Sequence, residues 1–203
     1  MARNFKREKS TKKPHPRILV ICEDSKSSLN YLEEASQRYR SNATIRVIHT
    51  GKTNPYGIVE HAIKEKNNYE KIYCVIDRDE HDRWDESHVL AEKNNIEIIA
   101  SYPCYEYWLF LHYRYSRKSY SREGNKSPAD CMCDDLRNIP ELSEYKKGQN
   151  KGLFYKLENN LATAKNRANR GLREVARDPL SANPSTRIHH LLDEFEAIGI
   201  NTP

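Results

Sequence analysis

Carboxylates collect where two apolar runs stop. Ile18-Leu19-Val20-Ile21-Cys22 is followed at once by Glu23 and Asp24, and Ile72-Tyr73-Cys74-Val75-Ile76 by Asp77, Asp79 and Glu80. Near-continuous runs of Val, Ile and Leu read as buried parallel strands. Residues just past the carboxyl ends of such strands sit at the ligand-binding edge of an open α/β sheet. Glu23 and the pair Asp77/Asp79 are therefore expected on one edge, although they are far apart in the chain. Carboxylates gathered there repel one another unless a cation neutralises them, and a hard ion with oxygen ligands, above all Mg²⁺ (or Mn²⁺), does so. Side chains at i and i+2 of an extended segment point the same way. Asp77 and Asp79 can thus reach one ion, which keeps several waters and takes one or two carboxylates. Glu23 is a further ligand or a general base, the latter requiring hydrogen-bond reach to a nucleophilic water or hydroxyl. The competing readings are a solvated acidic turn for the pair and a helix N-terminal acid for Glu23.

Glu106 follows Ser101-Tyr102-Pro103-Cys104 and shares its segment with Trp108 and His112. It either joins the carboxylate cluster, serving a second ion, or is an ordinary first-turn acid with Trp108 and Leu109 as core. Glu80 and Asp82 are lesser candidates. His112 could hold a phosphate or act as an acid or base, but a lone His on an amphipathic helix is more often structural. Phosphate contacts are expected from Lys146, Lys147 and Lys151, and from Arg117 and Lys118, which are interleaved with Tyr113, Tyr115 and Tyr120. Those tyrosines could stack bases of a single strand or anchor a loop. For any one Lys or Arg the simpler reading is a solvated surface charge.

The elements that must position these groups alternate. Strands are expected at 17–22, 44–49, 71–76 and 96–100, and helices at 25–39, 55–67 and 84–94, so the sheet should be largely parallel. Asn54 and Pro55 mark the start of the second helix. Helices are further expected at 105–113, 128–137 and 151–177. Asn183-Pro184-Ser185-Thr186 is expected to cap a last helix, 187–197, ended by Gly199. Residues 1–16, basic and punctuated by Pro14 and Pro16, are expected to be a disordered tail ahead of one α/β domain over 17–203. Its core falls at about 17–113 and helical additions at 114–203.

Composition narrows the classes. In 203 residues, 31% are charged and the net charge is +5 with His neutral, so a local acidic site stands within a basic chain. That suits a polyanionic substrate bridged by a metal. No run approaches the roughly 18 apolar residues of a membrane span, and no signal peptide is expected. Of the five cysteines, Cys22 and Cys74 fall in expected buried strands, which points to the cytoplasm. Cys131-Met132-Cys133 lacks the second pair that a structural zinc site requires.

Three blocks in order resemble the RloB family. They are Ile21-Cys22-Glu23-Asp24-Ser25-Lys26, Val75-Ile76-Asp77-Arg78-Asp79-Glu80-His81, and Ser101-Tyr102-Pro103-Cys104-Tyr105-Glu106-Tyr107-Trp108-Leu109, with the late Asn183-Pro184-Ser185-Thr186. The resemblance implies a Toprim-like fold, with a glutamate after the first strand and an Asp-x-Asp after the third binding Mg²⁺. Here these are Glu23, Asp77 and Asp79. It further implies a metal-dependent nuclease acting on DNA or RNA in antiphage defence, sometimes beside an ATPase partner. The chain has no Gly-x-x-x-x-Gly-Lys-Ser/Thr motif, so any ATPase would be a separate protein. Alternatives are a non-catalytic nucleic-acid-binding subunit and a subunit controlled by that ATPase. Asp24 stands where many family members carry glycine, and either joins the metal site or caps the following helix.

Overall fold

A computed structural model of the chain describes residues 16–39, 43–78, 81–148, 151–178 and 182–200. The expected basic tail, Pro16 excepted, and the candidates Asp79 and Glu80 lie outside the described residues. The strands are β1 (Arg17–Cys22), β2 (Thr44–His49), β3 (Lys71–Asp77), β4 (Glu97–Tyr102) and β5 (Ser185–Thr186). The helices α1 (Ser27–Tyr39), α2 (Pro55–Glu65) and α3 (Trp84–Lys93) separate the first four strands. Then come α4 (Glu106–Phe110), α5 (Pro128–Arg137), α6 (Leu153–Leu157), α7 (Leu161–Arg177) and, after β5, α8 (Ile188–Ile200).

Local chemistry starts several of these helices. Asn54 Oδ1 accepts from the Gly57 N–H at 2.7 Å, and Pro55, whose missing N–H costs nothing in the first turn, opens α2. Ser127 and Asp130 form a reciprocal capping box at the start of α5.

The sheet order is β2-β1-β3-β4-β5, parallel through β4, with β5 antiparallel on the β4 edge. The chain thus builds outward from β1 to β2, then crosses back to lay β3 on the other side of β1. Alternation along the strands feeds two cores. Leu19, Ile21, Ile72, Cys74, Ile76 and Ile98 pack with Ile58, Val59 and Ala62 of α2 and Ala91 of α3. Ile18, Val20, Cys22, Tyr73, Val75 and Ile99 face the larger core, which includes Leu32, Trp108, Met132, Phe154, Leu191 and Phe195. The later helices therefore share a core with the sheet.

Four details depart from the sequence expectation. A 3₁₀ turn at Glu158–Asn160 splits the helix expected over 151–177; Asn competes for backbone hydrogen bonds and interrupts helices. Helix α4 stops at Phe110 and continues only as hydrogen-bonded turns, such as Tyr113 N–H to the Phe110 carbonyl at 3.1 Å. Helix α8 runs past Gly199. The two residues expected to serve only as a cap form β5, with Ser101 opposite Thr186 and their hydroxyls 2.8 Å apart. Two residues are too few for alternation to show in sequence.

Candidate functional site

Strands β1 and β3 are neighbours with Cys22 opposite Val75, and the Glu23 N–H extends the ladder to the Val75 carbonyl at 3.0 Å. That pairing sets the first residue beyond β1 beside the last residue of β3. It is also where the order of strand connection reverses, the place at which open α/β sheets form a ligand crevice. Glu23 Oε2 accepts from the Asp77 N–H at 2.9 Å, and Glu23 Oε1 lies 2.9 Å from His81 Nε2. Asp77 Oδ1 accepts from the Tyr105 N–H at 2.8 Å, fastening the end of β3 to the start of α4. The next residue, Glu106, is 2% exposed. Its Oε1 accepts from the Tyr145 hydroxyl at 2.8 Å and its Oε2 stands 3.8 Å from Lys147 Nζ. Glu23, Asp77, Glu106 and Lys147 line one open cleft of about 330 Å³, closed on another side by residues 24–27 and by Gly148. Gly148 is held there by its N–H, which donates to Ser27 Oγ at 3.0 Å. Its φ of +79° suits a residue without a Cβ.

The cleft is electrically strained. Burial raises the Asp77 carboxyl well above the usual carboxylate range, and the charges of Glu106 and Glu23 raise it further while Lys147 draws it down. Burial also raises Glu23, opposed by the hydrogen bond from the Asp77 N–H and by His81. For Lys147 burial works against the charge, yet Glu106, with Cys104, Cys133 and Asp77, holds the ammonium above its ordinary value. Burial and Glu106 push the Tyr145 phenol up, so it stays a hydrogen-bond donor.

Asp24 takes the second of its two expected roles. Its carboxylate accepts from the N–H groups of Lys26, Ser27 and Ser28 at 2.7, 2.5 and 2.7 Å and from the Ser28 hydroxyl. It is the N-terminal cap of α1 and has its oxygens committed there.

A divalent cation would find hard oxygen donors here. Asp77 leaves Oδ2 without a described hydrogen bond and Glu106 Oε2 faces Lys147, which suits in kind an ion taking one or two carboxylates and several waters. Among the described residues, no group of three or more His, Cys, Asp or Glu is arranged to hold a metal. Cys104, Cys131 and Cys133 are buried free thiols.

The expected phosphate contacts separate. Lys147 is in the cleft, with Lys146 exposed beside it. Lys151 lines other grooves, near Glu34 and Tyr155 on one side and Glu144 on another. Arg117 is bound into the fold, with Nε 3.5 Å from Glu174 and a guanidinium hydrogen bond to the Pro184 carbonyl. Lys118 Nζ pairs with Asp135 at 3.1 Å over the Tyr120 ring. Tyr120 is buried and donates to Asp135, and Tyr115 donates to Glu174; both act as anchors of their loop. His112 is also structural: its Nδ1 is 3.0 Å from the Trp108 carbonyl, and burial lowers its pKa to about 4. Sequence reasoning missed His81 and Tyr145. The first follows the Asp-x-Asp by two residues, a usable signal; the second is 39 residues from the Glu106 it serves and carries none.

A family model for RloB-like protein matches residues 18–195. No curated protein and no solved structure is similar enough to the chain to match it. No helix of the described residues is long and apolar enough to cross a membrane.

Proposed function

The chain belongs to the RloB-like protein family, which is Toprim-related, and on that premise we propose that it is a Mg²⁺-dependent nuclease cleaving phosphodiester bonds of DNA or RNA in antiphage defence. The observation that carries the reading is the gathering of Glu23, Asp77 and Glu106 on one cleft at the carboxyl edge of the sheet, where burial and its two acidic neighbours oppose the ionisation of Asp77. A divalent cation removes that opposition. Asp77 through Oδ2, with Asp79, would hold it. When bound, such an ion would supply Lewis-acid chemistry at the scissile phosphate and at an attacking water. Glu23 Oε1 is the proton acceptor, and the Asp77 N–H and His81 orient it and oppose the rise that burial imposes on its carboxyl. Lys147 Nζ meets a phosphate oxygen and offsets charge that grows there. Glu106, fixed by Tyr145, sets the position of that ammonium.

The test incubates native protein, Asp77→Asn and Glu106→Gln with plasmid, single-stranded DNA and total RNA, in Mg²⁺ or Mn²⁺ and in EDTA. Expected is cleavage that EDTA abolishes, that falls at least ~100-fold in Asp77→Asn and that falls less in Glu106→Gln. Cleavage equal in native protein and Asp77→Asn overturns the reading. A second reading, a subunit that cleaves only when a separate ATPase partner rearranges the cleft, is favoured by one observation: both Glu23 oxygens are already engaged. It predicts silence of the isolated chain and metal-dependent cleavage once the partner is added.

A further inference from the structure

Successive residues of a strand face opposite sides of the sheet, so the residue after Asp77 leaves the carboxylate cleft behind. Arg78 turns into a separate groove of about 240 Å³, beside Trp84, Asp85, His88, Tyr102 and Arg187. Its guanidinium lies 5.4 Å from the centre of the Trp84 ring and 5.2 Å from that of Tyr102. Cation–π contact of this kind fixes the group in place without consuming its N–H donors. The Trp84 ring in turn leans on His88, with centroids 4.8 Å apart. Arg187 reaches the same groove from the start of α8; its backbone N–H donates to the Ala100 carbonyl at 2.9 Å and its side chain is exposed. Arg78, His88 and Arg187 line this one groove, and besides burial the two arginine charges lower the His88 pKa. Neither arginine forms an ion pair with a described carboxylate; Asp85 is the acid on the groove wall. The positioned Arg78 guanidinium and the exposed Arg187 guanidinium, beside two aromatic rings, make a surface suited to a phosphate with an unpaired base attached.

We propose that this groove is a subsite for single-stranded nucleic acid, in which Arg78 and Arg187 hold a backbone phosphate and Trp84 and Tyr102 contact the adjoining base. As the flanking path of a strand whose scissile phosphate lies in the carboxylate cleft, it rests on the nuclease reading; as a binding site it is tested apart from it. Asp77 on the cleft and Arg78 in the groove are consecutive residues at the same end of β3. A volume of about 240 Å³ suits a nucleotide rather than a duplex, and a ring can meet a base face only where the base is unpaired.

The experiment measures anisotropy of fluorescein-labelled oligo-dT, oligo-U and a mixed-sequence duplex in EDTA, which separates binding from cleavage. Native protein, Arg78→Gln, Arg187→Gln and Asp77→Asn are compared, with thermal melting of each. Expected is about 10-fold weaker single-strand binding in each arginine variant. The slope of log affinity against log salt should shrink by about 0.7 per arginine removed. Asp77→Asn should still bind. Arg187→Gln, whose side chain is exposed, should melt like the native chain and keeps the test valid should Arg78→Gln unfold. Tryptophan emission should change on binding through Trp84, since Trp108, the second of two tryptophans, is buried. Arg187→Gln binding within twofold of native overturns the proposal. So does displacement of the strand by an equal phosphate-group concentration of inorganic phosphate, which would mean a simple anion site. So does a loss, in the arginine variants, of duplex binding with single-strand binding intact. Tight, arginine-dependent binding by a native chain that cleaves nothing keeps the groove and overturns the isolated nuclease.

Discussion

With burial, Glu106 and Glu23 all against it, the Asp77 carboxyl holds its proton in the folded chain at pH values where the unfolded chain has released it. In that window the folded state binds more protons, so stability falls as pH rises. Asp77→Asn keeps an oxygen for the Tyr105 N–H and removes the charge. Without divalent ions at pH 8, it should therefore melt higher than the native chain, by ~2–4 °C for a gain of about 1 kcal/mol. Millimolar Mg²⁺ should raise the native melting temperature and leave the variant unmoved; scanning fluorimetry in EDTA and in Mg²⁺ reads both. The buried imidazoles carry the opposite sign. Burial lowers His112 to about 4 and His189 to about 3. Below the ordinary imidazole range, near pH 6.5, the unfolded chain takes up protons that these two residues refuse when folded. Each then costs about 1.4 kcal/mol of stability per pH unit until its folded pKa is reached. Imidazole NMR resonances of His112 and His189 should accordingly stay in the neutral form from pH 8 to pH 5.

Among the elements, α1 bears most directly on the cleft, because the turn that starts it is also a wall. Asp24 caps it through three backbone N–H groups, and Ser27 Oγ receives the Gly148 N–H from the loop that carries Lys147. Asp24→Ala should cost about 1–2 kcal/mol in urea unfolding and loosen that loop, lowering cleavage, while Mg²⁺ stabilisation persists. Loss of the Mg²⁺ response in this variant would instead make Asp24 a ligand. The extra carboxylate after Glu23 was visible in sequence, but its role was not. A cap and a ligand have the same residue type and the same position, and only the direction of the N–H groups separates them.

At the scale of the molecule, the sheet and the later helices share the larger core. Ile188, Leu191, Leu192 and Phe195 of α8 are fully buried, and β5 covers the β4 edge. At ~1.5–3 kcal/mol for each large apolar side chain, losing these four removes about 6–12 kcal/mol. That is comparable to the whole stability of a typical domain, about 5–15 kcal/mol. A chain ending at Asp178 should therefore lose cooperative thermal unfolding, as circular dichroism would show, rather than persist as a trimmed sheet domain.

The sequence by itself determined the four parallel strands, the helices between them and the acids at their carboxyl ends. These features rest on local periodicity and on abrupt changes from apolar to charged residues, which survive without any knowledge of contacts. It also marked Asn54 and Pro55 as a helix start, because capping is chemistry between neighbours. Only the tertiary structure decided that β3 lies against β1, so that Glu23 and Asp77 share a hydrogen bond across 54 residues of chain. Only it decided that Lys147 and Tyr145, out of a basic and tyrosine-rich second half, serve Glu106, and that Arg117, Lys118 and Tyr120 are spent on the fold. Those assignments depend on which elements pack together, and packing is settled by the shape of the two cores, a property that no single segment carries.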